Sequence, residues 1–257
     1  MSVLLQTPPK PRSVFSCTRA PEVREVRPRS ETDAPEILTE ILTLPNQVEN
    51  ERAGNFAFVL RGFLSPAECA EMVAESERRG YEPALLNTGR GQILDTSTRN
   101  SQRNIMDSEE AAGSLFERLR PHLPETLDGR RCTGLNGRLR FLRYDPGEYF
   151  APHYDGCYST PDGAEASMLT VMLYLNAGGG ADFTGGETNF LHRWDQSPEK
   201  GTAVVPGVGD VLVFTHNILH EGAAVEKGRK YAVRTDVMFE STQQRFMARA
   251  AQPRQPR

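Results

Sequence analysis

The second half of this chain changes its period. From Arg138 onward the apolar residues no longer recur at helical spacing. They fall into short runs separated by Gly, Pro, Asn and Asp. RLRFLRY (138–144), MLTVMLYLN (168–176), TNFLH (188–192), TAVVP (202–206), DVLVF (210–214) and KYAVRTDVMF (230–239) each have the length and side-chain content of a strand. Upstream, FAFVLRGFL (56–64) is another strand-like run. After it comes SPAECAEMVAESERRG, where Ser65 and Glu68 form a capping box, Pro66 takes the first helical position and Gly80 ends the helix. A second helix is expected from Asp107 or Ser108 to about Arg120, where Pro121 stops it. Helices first and many short strands after predict a mainly β domain, an open or closed β-roll with an N-terminal helical buttress.

The 257 residues suit one medium domain with tails. Residues 1–50 are rich in proline and charge and are expected to lack a fixed fold, apart from a short helix near PEILTEIL (35–42). The domain is expected over 51–240, and the basic, acid-free segment 241–257 reads as a solvated tail. A net charge of −4 gives no broad cationic surface for nucleic acid or membrane. No apolar run reaches membrane-spanning length, and the N-terminus lacks the apolar middle of a secretory signal. The expected location is the cytoplasm, with the nucleus left open. Cys17, Cys69, Cys132 and Cys157 are widely spread, show no metal-ligand spacing and read as free thiols.

The stretch FAPHYDG (150–156) sets His153 and Asp155 two residues apart in an apparent strand, and residues two apart share a strand face. They can converge on one ion if a second imidazole arrives from a distant strand. His122, His192, His216 and His220 are the candidates; His220 falls between the runs DVLVF and KYAVRTDVMF. Two histidines and one carboxylate make the facial triad of non-haem Fe(II) sites, whereas structural zinc prefers a closed, often cysteine-rich set absent here. Strand parity adds companions. Lys230, Ala232, Arg234 and Asp236 share one face, Arg140, Leu142 and Tyr144 another, and Thr170, Met172 and Tyr174 a third.

Four blocks in this order resemble the Fe(II)- and 2-oxoglutarate-dependent dioxygenases, in their prolyl 4-hydroxylase-like branch: FLSPAEC, RFLRYDPGEYFAPHYDG, LTVMLYLN with GGETNF, and DVLVFTHNILHEGAAVEKGRKYAVRTDVMF. The likeness runs from about Phe56 to Phe239. It implies a double-stranded β-helix, or jelly roll, with His153, Asp155 and His220 as ligands of Fe(II). It also implies Lys230 as the cation for the far carboxylate of 2-oxoglutarate, with Arg234 as second choice, and Tyr144, Tyr174 and Thr188 around that co-substrate. O2 is the second co-substrate, and ascorbate is a further cofactor the resemblance brings. The implied reaction is hydroxylation of an aliphatic C–H bond, and no separate general base is required.

Arg140 and Arg99 are the candidate substrate contacts. Arg99 and Arg103 lie in the polar stretch STRNSQRNIMD (97–107), which reads equally as a loop salt-bridged to the helices. CYSTPDGAEAS (157–167) suits a lid, His216 reads as structural, and Trp194 is expected in a loop packed on the barrel. The substrate class stays open between a protein side chain and a small metabolite; nucleic acid and membrane partners are not expected, and oligomeric state is not fixed. Two other classes remain: a catalytically silent metal-binding jelly-roll scaffold, and a zinc or manganese β-barrel hydrolase or isomerase.

Overall fold

The structure, a computed structural model, describes residues 37–88 and 91–241. In chain order its elements are β1 (Leu38–Ile41), α1 (Gln47–Arg52), β2 (Ala57–Arg61), α2 (Pro66–Arg79), β3 (Glu82–Pro83), β4 (Leu86–Thr88), β5 (Gly91–Ile93), β6 (Gln102–Asp107) and α3 (Glu109–Leu119). There follow β7 (Thr126–Leu127), β8 (Arg130–Leu135), β9 (Arg138–Tyr144), β10 (Phe150–His153), β11 (Glu165–Tyr174), β12 (Phe183–Gly185), β13 (Thr188–Phe190) and β14 (Thr202–Val204). The last are β15 (Val211–Thr215), β16 (His220–Gly222), β17 (Val225–Gly228) and β18 (Lys230–Glu240).

The large sheet runs β1-β2-β15-β11-β18-β9-β6-β3, with β8 also pairing β18. A four-stranded sheet runs β10-β16-β13-β14. Together they make the double-stranded β-helix, with α2 and α3 against the outer face of the large sheet. Alternation explains why both faces are covered. Val211, Val213, Leu169, Val171, Val233 and Val237 join Met72, Leu115 and Leu119 in one buried cluster on the helix side. Leu212, Phe214, Tyr174 and Ala232 point the other way and join Phe190 and Val204 of the small sheet. Each such large apolar side chain contributes about 1.5–3 kcal/mol on burial, so the helix face alone supplies much of the hydrophobic stability.

The helix ends follow the sequence. Ser65 accepts from the Glu68 amide while Glu68 accepts from the Ser65 amide, and Gly80 ends α2 at φ 81. Ser108 caps α3 through the Ala111 amide.

Three local expectations are corrected. The helix expected near 35–42 is the strand β1, held by main-chain pairing to β2 from Leu38–Arg61 to Ile41–Phe58, so regular structure begins before Phe56. The polar stretch 97–107 is no mere loop. Its second half is β6, paired with β9 from Gln102–Arg143 to Asp107–Arg138, and Arg103 ion-pairs with Glu82 of β3 while Asn104 donates to the Gly80 carbonyl. Trp194 does not pack on the barrel: it is 78% exposed, with Arg193 over its ring. Residues 1–36 and 242–257, where the disordered N-terminal segment and basic tail were expected, lie outside the described residues. Among the described residues Cys69, Cys132 and Cys157 are free thiols, and no helix is long and apolar enough to cross a membrane.

Candidate metal centre

β10 and β16 pair so that His153 and His220 stand directly opposite each other. Their rings are 4.2 Å apart. The strand β10 ends at His153, and Asp155 lies two residues beyond it, where its amide donates to the His216 carbonyl. His153 Nε2 is 3.6 Å from Asp155 Oδ1, and His220 Nε2 is 3.6 Å from Oδ2. One ligand atom from each residue can be chosen so that all lie within 4.8 Å of one another.

The outer nitrogens fix the tautomers. His153 Nδ1 lies 2.8 Å from the Ala151 carbonyl and His220 Nδ1 lies 2.9 Å from the Ile218 carbonyl. A carbonyl only accepts, so each Nδ1 carries the proton and each Nε2 presents its lone pair inward. Burial pushes the His220 imidazole down to about 4 against the pull of Asp155, which keeps it neutral at pH 7. Burial alone would raise the Asp155 carboxyl; Arg234, His220 and His153 together hold it well below the usual carboxylate range. Two imidazoles aimed through Nε2 and a carboxylate are a donor set that fits Fe(II). Phe150 stacks on His153 at 3.6 Å and Phe214 meets His220 edge-on at 4.7 Å, so aromatic walls limit ring motion and water access.

The cleft beside these residues holds about 40 Å³ of free space. Lys230 is 4% exposed within it. Its Nζ donates to the Gly186 carbonyl at 2.7 Å and lies 5.2 Å from the Tyr144 ring and 5.6 Å from the Tyr174 ring. Among the described residues no carboxylate pairs with it, and burial pushes its ammonium down to about 8, opposed only by Glu187. Gly186 sits at φ 70, a conformation glycine adopts without strain, and that turns its carbonyl toward Lys230.

The other expected residues divide. Thr188 and Tyr144 line the cleft. Tyr174 is fully buried behind them, its hydroxyl 2.7 Å from Thr188 Oγ1. Arg234 and Arg140 line the cleft but are engaged by carboxylates. Arg234 is 3.1 Å from Asp155 and 3.2 Å from Asp236, and Arg140 is 3.1 Å from Asp236. Arg99 lines the cleft and Arg103 does not. His216 is buried beside Thr170, outside the triad. Sequence reasoning missed three neighbours. Thr170 donates to Asp155 Oδ2 at 2.5 Å, and its two- and four-residue spacing from Met172 and Tyr174 could have shown its direction. Glu221, which accepts from Asn189, and Phe150 carried no signal beyond adjacency to a candidate histidine.

The fold and its cluster of two histidines and one aspartate define the class: a jelly-roll protein with a non-haem metal centre. The sequence model of the 2OG-Fe(II) oxygenase superfamily matches residues 139–235, which include all three cluster residues. That segment resembles the superfamily, and the chain is similar to prolyl 4-hydroxylases. Prolyl 4-hydroxylase 2 of Arabidopsis thaliana is 25% identical over 221 residues, covering 73% of this chain and 69% of that protein. Probable prolyl 4-hydroxylase 6 of the same plant is 26% identical over 204 residues, covering 68% of this chain and 66% of that protein. The chain thus spans about two thirds of the length of these relatives. Among solved structures, a Pseudomonas putida prolyl-4-hydroxylase shares the fold at a TM-score of 0.54 and 21% identity, covering 75% of this chain and 97% of that one. A Trichoplax adhaerens prolyl hydroxylase, in complex with a hypoxia inducible factor peptide fragment, does so at 0.54 and 20% identity, covering 80% and 92%.

Proposed function

We propose that the chain is an Fe(II)- and 2-oxoglutarate-dependent dioxygenase that hydroxylates an aliphatic C–H bond. The balanced reaction is R–H plus 2-oxoglutarate plus O2, giving R–OH, succinate and CO2. His153, Asp155 and His220 would hold the iron, which when bound supplies the oxygen-activating chemistry. The observation that carries the reading is Lys230: a buried ammonium with no carboxylate partner among the described residues, in the same cleft as the triad. A buried unpaired charge is costly, and the far carboxylate of a two-carboxylate acid offsets that cost. Arg234 is the weaker choice for this anchor because its guanidinium already meets Asp155 and Asp236. A hydrolase or a silent metal scaffold would have no use for such a cation.

The chain's own residues orient and shield. The carbonyls of Ala151 and Ile218 aim the imidazoles, Thr170 and Arg234 hold the Asp155 carboxylate, and Phe150, Phe214 and Met172 present apolar walls. Tyr144 and Thr188 offer hydroxyls beside the proposed anchor. By the names of its relatives the substrate class includes a protein prolyl side chain; a small metabolite is the other.

Succinate release by Fe(II)-loaded protein against peptides and metabolites is the test. His153→Ala and Asp155→Ala should each abolish iron-dependent turnover. Full turnover in either variant would overturn the ligand set.

A further inference from the structure

The charges that line the cleft divide unevenly. Arg99, Arg140, Lys230 and Arg234 line it beside two carboxylates, Asp155 and Glu221; Asp236 lies behind Arg140 and Arg234, and Glu187 acts on Lys230. The four cations differ in their partners. Arg140 and Arg234 have Asp236, Arg234 also has Asp155, and Lys230 is the proposed co-substrate anchor. Arg99 is left.

Arg99 is 9% exposed. Its Nε donates to Ser101 Oγ at 3.0 Å, Tyr144 lies beside it, and the nearest charges are the like charges of Arg234 and Arg103. No carboxylate lies at ion-pair distance among the described residues. Its guanidinium sits 4.7 Å from the centre of the Phe150 ring, and that ring also stacks on His153. One aromatic ring therefore touches both a nearly buried guanidinium and a proposed metal ligand. A carboxylate on a bound substrate would pair with this guanidinium and offset the cost of burying its charge.

We propose that Arg99 is the receptor for a carboxylate on the substrate, and that the substrate is a compact free acid. This rests on the dioxygenase reading above. Compactness follows from the position of the guanidinium: the carboxylate must enter the cleft to reach it, and the bond to be hydroxylated lies within a few bonds of that carboxylate. Arg99 acts as a specificity determinant, binding one end of the substrate while the metal centre meets the other.

The test uses the full chain loaded with Fe(II) and 2-oxoglutarate. The protein amino acids, their amides and their N-acetyl amides are compared by succinate release, and under argon by saturation-transfer NMR for binding. The wild type should bind and turn over one or more acids in preference to the matched amide. In Arg99→Gln the acid-to-amide ratio should fall by about 10- to 100-fold, the effect expected for losing a hydrogen bond between charged groups. Arg99→Lys, which keeps the charge, should restore part of the ratio. Equal or better turnover of N-acetyl amides by wild type overturns the proposal, as does a failure of every acid to bind better than its amide. An Arg99→Gln defect confined to the KM for 2-oxoglutarate also overturns it, by moving Arg99 to the co-substrate. The parent reading fails separately, if His153→Ala retains iron-dependent succinate release.

Discussion

The hydroxyl of Thr170 donates to Oδ2 of Asp155 at 2.5 Å, from the neighbouring strand β11. Arg234 takes the other oxygen at 3.1 Å, so both oxygens of the carboxylate are fixed before any ion arrives. A hydrogen bond to a charged group contributes about 1.5–3 kcal/mol. Groups that orient a metal ligand typically change affinity about 10- to 100-fold. Thr170→Val should therefore weaken Fe(II) binding about tenfold or more, with Thr170→Ser close to wild type. Anaerobic metal titration measures this; an unchanged affinity in the valine variant would remove Thr170 from the site.

Lys230 sets a pH limit. Burial brings its ammonium down to about 8, so the free protein loses the charge above that pH while the co-substrate requires it. The KM for 2-oxoglutarate should rise as pH climbs above about 8, by up to about tenfold per unit. Lys230→Ala should raise the KM strongly and remove this pH dependence. The sign for stability is opposite. Between about 8 and the ordinary lysine value the unfolded chain binds the extra proton, so stability of the unliganded protein rises with pH through that window. Chemical denaturation at several pH values would show it.

Gly186 links backbone geometry to the same cation. At φ 70 an alanine is strained, and its Cβ would lie 3.0 Å from the Phe183 ring and 3.3 Å from Lys230 Cδ. Gly186→Ala should cost about 1–2 kcal/mol of stability. It should also raise the KM for 2-oxoglutarate with little change in iron affinity. A variant with an unaltered KM would show that the Gly186 carbonyl does not hold the lysine.

Phe141 tests the other face of β9. It is 1% exposed and packs in the helix-side cluster, one residue away from the cleft-lining Arg140 and Leu142. Phe141→Ala should destabilise by about 3–5 kcal/mol, read from urea unfolding, while the folded fraction keeps its affinity for iron.

Strand alternation made the inner and outer faces of β9, β11 and β18 readable, because an apolar outer run leaves the polar positions only one place to go. It also pointed Lys230, Arg234 and Tyr144 toward one cavity before the fold was seen. Two elements escaped. β1 and its flanks carry Ile37, Leu38, Ile41 and Leu42 at helical spacing, yet the strand residues Leu38–Ile41 are all exposed and main-chain pairing with β2 decides its form. β6 shows no apolar alternation because Arg103 and Asn104 are buried through specific polar partners, which no local pattern encodes. The same holds inside the cleft. That Arg140 and Arg234 would find Asp236 while Arg99 would find no acid depends on residues far apart in the chain.

The two-sided character of β18 has an evolutionary consequence. Val233 and Val237 secure the strand to the helices, while Ala232 and Arg234 on either side of Val233 face the interior of the roll. Exchanges at alternate positions can retune which molecule is accepted while the scaffold beneath stays intact. A lineage built on this chain could diversify its chemistry by drift along a single strand.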